Sequence, residues 1–298
     1  MKTLIVFNPH SGKGEFVSTL SELIDKLKKR NIVDISVFSP SYPKEITDFL
    51  LVNGSRFDLL ILSGGDGTLN ECINALMKIS NKPKLLYIPS GTVNDVGHML
   101  KLKRKPSQII SLLNECPVKM DVCQINDRYF LYAAACGRFS HVSYNTKHHK
   151  IKKHFGKFYY YLRALLSIFR NEMFTIKYNG EEIKSYLMLL SNTSHLGGFK
   201  INRCHNLKLN DGEINLYIFK YRSFFSFINF LFFMFFGDCY KRNIKVFSGD
   251  KFKLDFSSTI RMNTDGESAM IDDTFMIQVH KGALEIFVEE SRKKLYFE

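Results

Sequence analysis

Leu59-Leu60-Ile61-Leu62-Ser63-Gly64-Gly65-Asp66-Gly67-Thr68-Leu69-Asn70-Glu71 passes from an apolar run through a glycine loop into helix-forming sequence. Leu59 to Leu62 has a strand's length, and the apolar spacing from Leu69 to Ile79 predicts a helix. Glycines between them tolerate positive φ and let backbone amides approach an anion closely. The helix N-terminus behind the loop offers unpaired N–H groups. Asp66 within such a loop would repel a phosphate unless a cation stood between them, and Mg²⁺ carried by nucleotide phosphates meets that requirement.

The same alternation extends outward. Leu4 to Phe7, Ile35 to Phe38 and Lys84 to Ile88 read as further strands. A helix over Phe16 to Lys29 has apolar positions at Val17, Leu20, Leu23, Ile24 and Leu27, and helix-like sequence follows the Ile35 to Phe38 strand through Leu51. Short apolar strands separated by helices predict a doubly wound α/β domain with a mostly parallel sheet over residues 1–120. Two more loops follow strands: Asn8-Pro9-His10-Ser11-Gly12-Lys13-Gly14 and Pro89-Ser90-Gly91-Thr92-Val93-Asn94-Asp95. In a parallel sheet all three loops lie at the carboxyl ends of the strands, where ligands bind. Ser11, Thr68 and Thr92 add hydroxyl donors and Lys13 a charge. Neither the Walker pattern nor G-x-G-x-x-G occurs, so the cradle is of another kind.

After Asp121 the texture changes. Alternating strands are expected at Val122 to Ile125, Tyr129 to Ala133, Phe174 to Tyr178, Ile183 to Leu190 and Glu213 to Phe219. Others follow at Lys251 to Phe256, Ile260 to Thr264, Thr274 to His280 and Leu284 to Val288. Asn126-Asp127, Asn179-Gly180 and Asp211-Gly212 supply turns. This predicts an antiparallel β-sandwich domain over residues 121–298, interrupted by helices at 154–170 and 223–236, with the last residues free to pack back on the first domain.

Composition narrows the partners. The 298 residues carry a formal net charge of +13, which favours polyanions such as anionic lipid surfaces, nucleic acid or phosphorylated substrates. A surface that is simply solvated fits too. Six scattered cysteines, with no C-x-x-C pair, read as reduced thiols of a cytoplasmic protein. The N-terminus carries no signal-peptide pattern. No apolar run approaches the roughly 18 residues of a membrane span. Phe224 to Phe236 is nonetheless almost wholly aromatic and aliphatic, with Arg222 before it and Lys241-Arg242 after it. It fits an interfacial helix, and equally a core or dimer-contact helix. Residues 147–154 form a basic cluster beside Tyr159, Tyr160 and Tyr161. No RNA-binding signature accompanies it, which favours anionic membrane over nucleic acid.

The octet Gly64 to Glu71 resembles the signature of the diacylglycerol kinase catalytic domain, in a superfamily shared with sphingosine kinases and NAD kinases. The likeness runs almost end to end. It takes in Asn8-Pro9-x-Ser11-Gly12, Gly91 to Asp95, Gly197-Gly198-Phe199-Lys200, Leu209-Asn210-Asp211-Gly212 and Asp265-Gly266-Glu267. Leu69-Asn70-Glu71 and the Gly91 to Asp95 loop follow the lipid-kinase branch, not NAD kinase.

The resemblance implies a Rossmann-like domain and a β-sandwich with ATP between them. It places nucleotide contacts on Asn8, Pro9, His10, Ser11, Gly12, Gly65, Asp66, Gly67, Thr68, Leu69, Asn70, Glu71 and Thr92. It also gives Asp66 a part in holding the catalytic Mg²⁺ and makes Glu267 the general base. A second, structural Mg²⁺ is implied at Lys208, Asp211 and Glu213, with Lys208 contributing its carbonyl because an ammonium cannot ligate a cation. Asn210-Asp211-Gly212 also reads as a plain turn. The acceptor implied is a membrane lipid, diacylglycerol first, giving phosphatidic acid. A sphingoid, isoprenoid or glycerophospholipid hydroxyl follows, as does a non-catalytic nucleotide-binding regulator. Soluble bacterial members are homodimers, which leaves a homodimer open here.

Overall fold

The computed structural model describes residues 1–9, 11, 15–91, 94–137, 173–193, 195–196, 199–204, 208–221, 226–257, 259–265, 267–271 and 273–297, without side chains at 15, 195, 196, 199, 226, 227 and 267–271. The helix expected at 154–170 and the basic cluster at 147–154 lie outside these residues.

The chain opens with β1 (Thr3–Phe7), α1 (Glu15–Lys28), β2 (Ile35–Phe38) and α2 (Glu45–Asn53). It continues with β3 (Leu59–Gly64), α3 (Asp66–Leu76) and β4 (Lys84–Pro89). The strands pair in parallel, with β1 between β2 and β3, and β3 between β1 and β4. Alternation along a strand sends successive side chains to opposite faces. Leu4, Val6, Leu60 and Leu62 therefore pack in one core layer, and Ile5, Leu59 and Ile61 in the other. Every residue of β3 is buried, as a central strand covered on both faces requires. Two short helices, α4 (Asp95–Met99) and α5 (Pro106–Leu112), complete this α/β half.

The second half is antiparallel. It begins with β5 (Val118–Ile125), β6 (Arg128–Phe130), β7 (Ala133–Gly137), β8 (Phe174–Tyr178) and β9 (Glu181–Ser191). The short pair β10 (His195–Leu196) and β11 (Phe199–Lys200), then β12 (Ile214–Lys220), lead to α6 (Ser226–Phe236). The remaining strands are β13 (Ile244–Gly249), β14 (Lys251–Phe256), β15 (Ile260–Thr264), β16 (Glu267–Ile271) and β17 (Thr274–Ile286), followed by α7 (Glu290–Tyr296). Their inner faces form a core of Ile125, Phe130, Leu190, Leu216, Leu254 and Phe275 among others.

Strand β17 joins the halves. It pairs antiparallel with β14 and β5, shifts register between His280 and Leu284, and ends with Ile286 opposite Leu85 of parallel strand β4. The two strands expected at Thr274 to His280 and Leu284 to Val288 are thus one strand with a bulge. Gly282, at φ 58, supplies the left-handed backbone there. Leu284, Ile286, Val288, Tyr296 and Phe297 enter the same core layer as Leu4 and Leu60. The strand expected at Tyr129 to Ala133 is two, β6 and β7, broken at residues 131–132, and strands β10, β11, β13 and β16 and helices α4, α5 and α7 were not expected from sequence.

The cysteines need a correction. Cys204 and Cys239 form a disulfide, whereas Cys72, Cys123 and Cys136 are buried thiols and Cys116 is exposed. The two partners stand 35 residues apart with the whole of β12 and α6 between them, so their spacing carried no signal of pairing.

Candidate active site

The strand order reverses between β1 and β3, because the chain leaves β1 for β2 on one side and returns to β3 on the other. Such a switch point opens a crevice at the carboxyl ends of the strands. The loops after β1, β3 and β4 meet there and are bonded to one another. Asn8 donates its backbone N–H to the Ser63 carbonyl at 3.0 Å and its Nδ2–H to Thr68 Oγ1 at 3.2 Å. A hydroxyl chain runs from Ser63 to Ser90 at 3.3 Å and from Ser90 to Ser11 at 3.2 Å. A Cβ built on Gly91 would stand 2.5 Å from the Cα of Gly65, so the loops after β3 and β4 touch backbone to backbone only because both residues are glycine.

Asp66, the first residue of α3, ties these two loops together. Its Oδ2 accepts the N–H of Asn94 at 2.8 Å and its Oδ1 the N–H of Asp95 at 2.8 Å, covering the start of α4. Asn94, fully buried and left-handed at φ 53, folds its amide back on Gly91.

Asp66, Leu69, Asp95, Val96, Tyr132 and Asp265 line a cavity of about 10 Å³, water-sized in scale. Asp265 comes from the far end of the chain. Its carboxylate accepts the N–H groups of Leu131, Tyr132 and Ala133 at 2.6, 2.8 and 3.0 Å. Burial pushes Asp95 up to about 6, helped by the charges of Asp66 and Asp265. Burial also pushes Asp265 up to about 6, against three amide donors that favour its charged form. Asp66 is raised as well, burial again outweighing the three backbone N–H groups and the His98 charge that favour its ionised form. Three mutually repelling carboxylates around one cavity, with no cationic side chain among the described residues that line it, suit a cation.

Other predicted residues fall as follows. Leu69 is buried in the core, and Asn70 donates its amide to the carbonyl of Tyr129 at 3.2 Å. Glu71 accepts the N–H of Thr47 at 3.1 Å, in the first turn of α2. Pro9 is partly exposed beside Asn8, and Gly65 and Gly67 frame Asp66 at the start of α3. His10, Gly12 and Thr92 lie outside the described residues. Glu267 begins β16 with its backbone opposite Thr264, just beyond Asp265, and its side chain is outside the described set.

None of the residues of the implied second metal position lines that cavity. Asp211 accepts the N–H of Lys208 at 2.7 Å and of Glu213 at 2.9 Å, closing the turn before β12. Asp121 accepts Gly212 N–H at 2.6 Å and Gly282 N–H at 2.7 Å. Burial raises the Asp121 carboxyl, and the charge of Asp211 raises it further. Glu213 itself is exposed.

A family model for the diacylglycerol kinase catalytic domain matches residues 2–125. A diacylglycerol kinase of Staphylococcus saprophyticus is 34% identical over 219 residues, covering 72% of this chain and 71% of that protein. The chain belongs to the diacylglycerol kinase family. A diacylglycerol kinase of Bacillus subtilis is 29% identical to this lipid kinase over 271 residues, 88% of each chain. In fold, the kinase superposes on a diacylglycerol kinase of Bacillus anthracis with a TM-score of 0.77 at 24% identity, over 97% of this chain and 98% of that one. The N-terminal α/β and C-terminal antiparallel halves are thus the architecture of that structure. Sequence reasoning about this kinase left Asp95 without a role and read no function into Asp121 or Asp265. Asp95 and Asp265 sit in segments already singled out, but only folding shows that they face Asp66.

Proposed function

We propose that the protein transfers the γ-phosphoryl group of ATP to the free hydroxyl of diacylglycerol, giving phosphatidic acid and ADP with Mg²⁺ required. The observation that carries this reading is the convergence of Asp66, Asp95 and Asp265 at the switch point of the parallel sheet. Membership of the diacylglycerol kinase family supports the choice of acceptor. Asp66 and its two carboxylate neighbours are the residues that would hold the magnesium ion, and their mutual repulsion is what fits them to it. When bound, the cation supplies charge neutralisation to the polyphosphate.

The chain's own groups do the rest. Backbone amides of the three glycine loops, and the hydroxyls of Ser11, Ser90 and Thr68, bind and orient the phosphates. Glu267 takes the proton of the lipid hydroxyl as its oxygen bonds to phosphorus, and the bond to the ADP oxygen breaks. Asp211 and Asp121, whose charges oppose each other across the Lys208 to Glu213 turn, would hold a second, structural ion with the Lys208 carbonyl.

ADP release from ATP and Mg²⁺ would be followed with mixed micelles of diacylglycerol, beside ceramide, sphingosine, undecaprenol and phosphatidylglycerol. Turnover on diacylglycerol above the other lipids, lost in Glu267→Gln, is expected. Turnover confined to another lipid would overturn the acceptor, and none on any lipid would overturn the reaction.

A further inference from the structure

Apart from Ser226 and Asn229, helix α6 is apolar on every face, which in water calls for burial on every side. One stripe is buried. Phe233 is fully covered, with its ring 5.2 Å from that of Tyr217 and 5.0 Å from that of Phe219 on the outer face of β12. The opposite stripe faces solvent: Ile228, Leu231, Phe232 and Phe236 are exposed at helical spacing, with Phe235 between them. Phe232 stacks on Phe236 at 5.9 Å and on Tyr240 at 5.4 Å, making one continuous aromatic surface. Tyr240 turns its hydroxyl to Asn229 Oδ1 at 2.5 Å.

The rim of this surface is cationic. Lys241 and Arg242 follow the helix and are exposed, as are Lys200 and Arg203 from the neighbouring β11 segment. The stem of Arg203 lies against Gly237 at the helix end. The acid in this region, Asp238, is fully buried and accepts the N–H groups of Arg203 and Cys204. That bond and the Cys204–Cys239 disulfide fix the helix end before anything binds, so docking sacrifices little conformational freedom.

We propose that this stripe of α6 docks the kinase on an anionic lipid bilayer, with Phe232 and Phe236 entering the headgroup boundary and Lys241, Arg242, Lys200 and Arg203 meeting lipid phosphates. The helix is about 16 Å long at about 1.5 Å per residue, so it lies in the interface and does not cross. A second copy of the chain fits less well, because a twofold contact sets the same cationic rim against itself. Docking rests on the lipid-kinase reading only in giving the membrane a purpose, since the surface itself is apolar and basic whatever the acceptor.

The test is flotation of the full chain with vesicles of phosphatidylcholine alone and of phosphatidylcholine mixed with phosphatidylglycerol. Phe232→Glu/Phe236→Glu and Lys241→Glu/Arg242→Glu would be compared with the unaltered chain. Binding to the mixed vesicles only, reduced about tenfold in each variant, is expected. Thermal midpoints and turnover on a monodisperse short-chain diacylglycerol should stay as they were. Unchanged flotation of Phe232→Glu/Phe236→Glu would overturn the proposal. So would sedimentation showing a dimer that this variant splits without loss of vesicle binding. Vesicle binding as expected, with no turnover on any diacylglycerol, would uphold the docking surface while refuting the proposed reaction.

Discussion

The backbone N–H of Asp95 donates to Oδ1 of Asp66 at 2.8 Å, so one carboxylate holds in place the residue that carries a second. The bond and the repulsion act on the same short segment. Asp66 stabilises the first turn of α4 through two amides, and its charge then helps to push the Asp95 carboxyl up to about 6. An arrangement that stabilises backbone while opposing its own charges is what a cation site requires before the cation arrives.

A pH dependence follows from that opposition. Asp95 has an ordinary value of 3.8 and about 6 in the fold. Between these values the folded state holds more protons than the unfolded one, so stability falls as pH rises through that window and stays lower above it. Asp95→Asn removes the loss. It is expected to raise stability at neutral pH by up to about 3 kcal/mol, and to leave it unchanged in acid below the window. Urea unfolding at the two pH values checks this.

Asp66→Ala removes both amide bonds and frees the loop after β4 from the loop after β3. A loss of about 2–4 kcal/mol in stability is expected, together with loss of lipid-dependent ADP release. Asp66→Asn can keep one acceptor oxygen, so it should recover part of the stability and none of the turnover. Thermal melting beside the turnover assay separates the two effects.

Glu267→Gln keeps the volume and the strand. Under the proposed chemistry kcat falls by about 10²–10⁴ while nucleotide affinity is retained. Stopped turnover with intact nucleotide binding, read by calorimetry, is the expected pattern; loss of binding would mean that Glu267 acts on the nucleotide and not on the acceptor.

Cys204→Ser opens a loop of 35 residues and should lower stability by up to about 4 kcal/mol. Melting the unaltered chain with and without dithiothreitol should reproduce that shift. A variant that melts like the oxidised protein would show that the crosslink adds nothing.

Local pattern made much of this protein legible. Apolar runs such as Leu59 to Leu62, helical spacing from Leu20 to Leu27 and glycines after successive strands report directly on backbone conformation, because period and φ preference act over a few residues. The same locality made the phosphate-type loops readable, and the octet around Asp66 carried the family. What the sequence could not disclose was convergence over long separations. Asp265 reaches Asp66 because β15 lies beside β7, whose neighbouring amides hold the Asp265 carboxylate. Cys204 meets Cys239 because α6 folds back on β12. Likewise β17 is one strand, not two, because a bulge at Gly282 lets it leave the antiparallel half and pair with β4. The aromatic run of α6 was plain in the sequence, but only packing against Tyr217 and Phe219 decided which rings were buried and which were left facing water. Sequence alone determined the elements and the chemistry of the loops, since both depend on neighbours in the chain; tertiary structure decided which charges and which apolar faces meet, since those depend on neighbours in space.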